Sequence, residues 1–209
     1  MATVSGIVLA GGESSRLGRD KAVEVVGGQY LITRVIDRMR EVCSDVLVVV
    51  SNVSRYPERT IPPDVETVLD KYPGKGSLGG IYSGLRSSKM EFGLVVACDM
   101  PFLNLTLLKK IIDMGITSDI CVPVLSNRPE PTHAMYSRNC LPYMKNQLDT
   151  DDLKITNFFS KVTVNYIDED VVKTIDPDLL SFFNINYQSD LDMAPVSYTH
   201  LTLPTKRIV

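Results

Sequence analysis

VSGIVLAGGESSRLGRDK, residues 4–21, joins an apolar run to a glycine- and cation-rich segment. Residues 4–10 are apolar or small throughout instead of alternating, as in a strand covered on both faces of a parallel sheet. The chain then runs into Gly11, Gly12 and Gly18 interleaved with Arg16, Arg19 and Lys21. Glycines directly after a strand can turn successive N–H groups inward toward an anion. Arg16 can pair bidentately with a phosphate, and Lys21 adds a point charge. The spacing fits neither G-x-x-x-x-G-K-[ST] nor the dinucleotide fingerprint.

Similar apolar runs recur at 45–51, 65–69, 92–98 and 118–124. Between them lie helical patterns. Leu31, Val35, Met39 and Val42 share one face, as do Leu105, Leu108 and Ile112 behind Asn104 as an N-cap, and 78–87 suits a shorter helix. Such alternation predicts an α/β three-layer sandwich with a mainly parallel sheet. Ligands of such sheets bind at the carboxyl ends of the strands. Gly11, Gly12, Ser51, Asn52, Asp70 and Asp99 are therefore expected to converge.

Beyond residue 125 the pattern loosens. Residues 128–138 read as a turn into an extended segment, 161–170 as an antiparallel strand, and 182–194 as a short strand followed by a helix starting near Gln188–Asp190. The domain expected is 1–194, with the nucleotide half first and the acceptor half from about 125. Residues 195–209 carry two prolines and no period, and read as a non-native or disordered tail.

The 209 residues carry a net charge of −3, which argues against broad electrostatic binding of nucleic acid, so any anion site must use local cations. Cys43, Cys98, Cys121 and Cys140 are scattered without a C-x-x-C pair and read as reduced thiols of a cytoplasmic protein. The first apolar run is too short for a signal peptide or a membrane span.

Gly74, Gly76 and Gly79 spell a lone G-x-G-x-x-G without the acidic residue expected near 92–98, so they are read as a loop helping to close a nucleotide pocket. With the first loop, and with VLDKYPGKGSLGGIYSGL (68–85), VVACDMPFL (95–103), RPEPTHAMYSR (128–138) and FFNINYQSDL (182–191), the chain resembles the molybdenum cofactor guanylyltransferases of the nucleotidyltransferase superfamily. The likeness spans about residues 4–194 and implies a Rossmann-like nucleotidyltransferase sheet.

It further implies that GTP binds along Leu9, Ala10, Gly11 and Gly12, with Lys21 and Arg16 on its phosphates and Ser51, Asn52 and Asp70 toward base and ribose. Asp99 would bind Mg²⁺, and Asn184 and Asn186 would face the acceptor, molybdopterin or its molybdenum form. Lys21, Arg16 and Asp99 would be the catalytic set. Proteins that insert molybdenum or chaperone a molybdoenzyme are the implied partners. Three positions depart from the family pattern: Ser77 stands for a proline, Tyr187 for a threonine, and either Ser51 or Asn52 for the asparagine after the second strand.

The implied reaction transfers GMP from GTP to the acceptor's phosphate monoester and releases pyrophosphate. A monoester is mostly dianionic at pH 7, so no general base is required. Asp70 can accept from an exocyclic amine or a ribose hydroxyl, or hold a second metal face. His133 reads as a pterin contact or a neutral polar residue, the acids at 149–152 as a solvated turn, and the pairs Phe158–Phe159 and Phe182–Phe183 as core. Two other readings remain open: a sister enzyme using CTP or a sugar 1-phosphate, and a nucleotide-binding adaptor without catalysis.

Overall fold

A computed structural model describes residues 3–11, 24–26, 28–52, 60–185 and 190. Gly12, Arg16, Lys21, Asn186 and 195–209 lie outside the described residues. In chain order the elements are β1 (Val4–Leu9), β2 (Val25–Val26), β3 (Gln29–Tyr30), α1 (Leu31–Arg40), β4 (Asp45–Val50), β5 (Glu66–Leu69), α2 (Gly76–Ser87) and β6 (Phe92–Ala97). They continue with α3 (Leu105–Gly115), β7 (Ile120–Leu125), β8 (Arg128–Pro129), β9 (His133–Ser137), α4 (Leu141–Asp149), β10 (Val164–Ile167) and α5 (Glu169–Ile175).

The main sheet runs β10-β7-β9-β6-β1-β4-β5, with β8 paired to β7, and β2 and β3 form a separate hairpin. β1 lies parallel to β4 on one side and to β6 on the other. After β5 the chain crosses beneath the sheet through α2 and re-enters beyond β1 as β6. That reversal of strand order opens a crevice at the carboxyl ends of β1 and β6.

Alternate residues of each strand feed two cores. Val4, Val8, Val48, Val50, Leu94 and Val96 pack against α1, α3 and α5. Ile7, Leu47, Val49 and Val95 pack against α2, α4 and Phe158 and Phe159 of the 3-10 segment Ile155–Lys161. Both faces of the sheet are thus covered, which is why its strands read as continuous apolar runs. Asn104 caps α3 as expected, its Oδ1 accepting from Thr106 N at 2.9 Å and Leu107 N at 3.2 Å. Burial pushes the thiols of Cys43, Cys121 and Cys140 up to about 12, so they stay protonated. Among the described residues no helix is long and apolar enough to cross a membrane.

Two expectations are corrected. β10 runs parallel to β7, not antiparallel. Its alternation, with Tyr166 exposed and Ile167 buried, records an edge position and carries no information on direction. The strand expected from residue 182 is instead a 3-10 turn, Leu180–Phe182, running into backbone that joins no sheet. Its polar needs are met locally by Asp176, whose carboxylate accepts from Leu180 N and Ser181 N. The antiparallel character of the sheet resides in β9, wedged between β6 and β7. The helix expected near Gln188–Asp190 lies outside the described residues except for Asp190.

Candidate functional site

The carboxyl edge of the sheet gathers five segments of the chain. Leu9 pairs with Ala97 across β1 and β6, and its carbonyl accepts the Cys98 N–H at 3.0 Å. Ala10 N–H donates to the Val49 carbonyl at 2.8 Å, and Gly11 lies so near β4 that an added Cβ would stand 3.4 Å from the Ser51 nitrogen. Asp70 N–H donates to the Val50 carbonyl at 2.8 Å, and Ile185 N–H to the Asp99 carbonyl at 3.0 Å. The strand ends that carry Gly11, Ser51, Asp70 and Asp99, with the segment of Asn184, thus lie along one edge of the sheet, with Asn52 exposed beside Ser51.

Asp99 is half-buried on a turn anchored from below. Met100, Phe102 and Leu103 insert into the core, and the buried Arg34 of α1 donates Nε to the Pro101 carbonyl at 3.1 Å. Sequence reasoning missed Arg34. Its signal is a cation three residues after Leu31, on the apolar stripe of α1. The acceptor-side segment is tied to the same turn. Asn104 N–H donates to Ser181 Oγ at 2.9 Å, its Nδ2 to the Ile175 carbonyl at 3.1 Å, and the buried Ile185 packs with Leu31 and Phe102. The segment that carries the exposed Asn184 is thus tied by backbone bonds to the turn that carries Asp99.

Asp70 has a local task. Buried, it accepts Tyr72 N–H at 2.9 Å and Ser83 Oγ–H at 2.8 Å on Oδ1, while Ser83 Oγ accepts Lys71 N–H at 2.9 Å. This clamps 70–72 onto α2, whose first residue Gly76 takes φ 62°. A Cβ at Gly79 would stand 2.8 Å from the Tyr72 carbonyl, so only glycine allows this approach. The glycines of the G-x-G-x-x-G match therefore serve loop shape and helix packing.

His133 does not open on the crevice. It is fully buried on β9 opposite Val96, its ring tilted against Phe182 at 4.7 Å, and neither ring nitrogen finds a partner among the described residues. Burial holds the imidazole down to about 3, against an ordinary 6.5. The folded state stays neutral while the unfolded chain takes a proton below pH 6.5, so stability is lost as pH falls. The loss is expected to reach up to about 1.4 kcal/mol per pH unit between 6.5 and 3. Urea unfolding of wild type and His133→Leu at pH 7, 6 and 5 checks this. Equal slopes in the two proteins would refute it.

The acids at 149–152 form no metal cluster. Asp149 pairs with Lys145, Asp151 with Lys75 at 2.6 Å, and Asp152 accepts from Asn157 at 2.8 Å. Phe158 and Phe159 stack edge to face at 5.3 Å in the core, and Phe183 leans on Phe102 at 6.0 Å. Among the described residues no group of three His, Cys, Asp or Glu could hold a metal ion. Asp99, on the turn after β6, offers carboxylate oxygen donors. Such a set fits a hard divalent cation that completes its shell with phosphate oxygens and water.

Comparison with known proteins identifies the family. The family description "MobA-like NTP transferase domain" matches residues 6–163. A molybdenum cofactor guanylyltransferase of Desulfosudis oleivorans is 37% identical over 197 residues, covering 93% of this chain and 95% of that protein. A probable molybdenum cofactor guanylyltransferase of Pelotomaculum thermopropionicum is 33% identical, covering 94% of each. The crystal structure of molybdopterin-guanine dinucleotide biosynthesis protein A from Archaeoglobus fulgidus superposes with a TM-score of 0.79 at 26% identity, covering 94% of this chain and 99% of that one.

Proposed function

The chain belongs to the MobA-like NTP transferase family, and from that premise we propose that it transfers GMP from GTP to molybdopterin, with or without molybdenum, forming the guanine dinucleotide. The observation that carries this reading is the backbone bond from Ile185 to Asp99. It ties the segment of Asn184 to the turn of Asp99, which follows β6 at the same sheet edge as Gly11, and this supports the reading.

In this reading Leu9, Ala10 and Gly11 meet the nucleotide through backbone groups, and Ser51 or Asn52 meets its base. Asp70 acts by holding the 70–76 loop in place. The roles of Gly12, Arg16, Lys21 and Asn186 rest on their motif positions. The acceptor phosphate, dianionic at pH 7, attacks the α-phosphorus of GTP, the α–β anhydride bond breaks, and pyrophosphate leaves. The protein must align two anions and offset the charge growing on the leaving group. Lys21 and Arg16 supply cations for that purpose. Asp99 with Asn184 would hold Mg²⁺, which supplies Lewis-acid charge on the phosphates when bound. The recipient of the product would be a molybdenum-handling chaperone or enzyme.

Calorimetric titration with GTP, CTP, ATP and UTP, with and without Mg²⁺, tests the base assignment. GTP is expected to bind at least about tenfold tighter than CTP, a difference near 1.4 kcal/mol. Equal binding of GTP and CTP would overturn the guanine assignment. Binding of none of the four would overturn the nucleotide reading of the crevice.

A further inference from the structure

A cavity of about 580 Å³ lies beyond the crevice, between the β7–β8 hairpin and residues 153–156. Its volume is within the range of small-molecule sites. Pro129, Pro131 and Ile155 give it apolar walls, while Asn127, Arg128 and Lys154 give it a polar, cationic rim. No carboxylate pairs with Arg128 among the described residues.

Both walls are held in place. The hairpin turns through Ser126 and Asn127 at φ 48° and 61°, a conformation that costs L-residues free energy unless the surroundings enforce it. The enforcement comes from Glu169, which accepts Ser126 N–H at 2.7 Å and is itself paired with Lys173 at 2.7 Å. Tyr136 Oη–H donates to the Pro131 carbonyl at 2.7 Å. On the opposite wall the buried Gln147 donates Nε2 to the carbonyls of Asp152 and Lys154, each at 3.0 Å.

Strand order says which substrate this cavity would serve. Gly11, Ser51 and Asp70 follow β1, β4 and β5, on one side of Asp99, which follows β6. The hairpin leaves β7 on the other side, two inter-strand spacings or about 10 Å from β6. We propose that the cavity is the seat of the acceptor's body, a planar heterocycle carrying negative charge besides its reacting phosphate, with Arg128 and Lys154 reading the charge and the two prolines flanking the ring. This inference rests on the acceptor named in the proposed function. It adds specificity residues on a second wall, away from Asn184.

Arg128→Glu, Arg128→Lys and Leu153→Trp test it, since Leu153 also lines the cavity and is 37% exposed, so the larger side chain folds without repacking a core. Molybdopterin affinity is read from the change in its pterin fluorescence, and KM and kcat from transfer of labelled GMP. Arg128→Glu and Leu153→Trp are expected to raise the acceptor Kd and KM at least tenfold while the Kd for GTP and the melting temperature hold. Arg128→Lys should restore most of the affinity. An acceptor Kd within twofold of wild type in both Arg128→Glu and Leu153→Trp would overturn the proposal. Should wild type bind molybdopterin yet transfer no GMP, the transfer reading fails alone. The same binding titration then still decides the cavity. Should wild type bind GTP but no molybdopterin, both the acceptor assignment and this inference fall.

Discussion

Asp99→Asn is expected to lower kcat by about 10²–10³, equivalent to about 2.7–4 kcal/mol of lost transition-state stabilisation. The amide keeps the size of the carboxylate and removes its charge, the property on which a divalent cation depends. The turn should survive. Its anchors are the Arg34–Pro101 bond, the buried Met100 and Phe102, and the Ile185 bond to the Asp99 carbonyl, all independent of the side-chain charge. The melting temperature and the affinity for metal-free GTP should therefore hold, while the Mg²⁺ concentration for half-maximal rate rises. Initial rates across an Mg²⁺ titration provide the check. Full turnover at limiting Mg²⁺ would remove Asp99 from the metal site and move attention to other acids around the crevice.

Phe158→Ala should be the most damaging truncation in the core below α2 and α4, at about 3–5 kcal/mol. Phe158 is 1% exposed and packs edge to face on Phe159, filling the space under α4 where a 3-10 segment lies instead of a longer helix. Removing the ring leaves a cavity that a segment tied at both ends cannot collapse into. Since total stability is of order 5–15 kcal/mol, the variant loses a large fraction of it. A melting point lower by about 6–20 °C follows for a chain of this size. Urea unfolding with an unchanged m-value gives the direct measurement. A loss below about 1 kcal/mol would mean that 155–161 is a surface appendage. The wall that Ile155 and Thr156 give the cavity would then need a different support.

What could be read from the sequence was what is local. A strand between two helix layers must be apolar on both faces, so β1, β4, β6 and β7 announce themselves wherever their residues stand, while β5, at the sheet edge, buries only Val68. The cap at Asn104 likewise depends on a few consecutive residues. Asp99 was legible because a strand end is local too, and the carboxyl-end rule converts it into a position. Asn184 was found only by resemblance, since nothing in its own surroundings in sequence points to Asp99.

The rest was settled by contacts between distant segments. Strand direction is one such matter. β9 and β10 carry side-chain patterns compatible with either sense, and their pairing with β6 and β7 decides it. Arg34 becomes a support of the Asp99 turn only because α1 crosses beneath Pro101, 67 residues further along the chain. Asp70 clamps a loop only because Ser83 comes round on α2. The cavity beside β7 exists only because the hairpin at 126–128 is fixed by Glu169 and the segment at 153–156 by Gln147. Propensity and periodicity act over a few neighbouring residues. Buried hydrogen bonds and cavities are made where the whole fold brings their two sides together, and only the tertiary structure decides where that is.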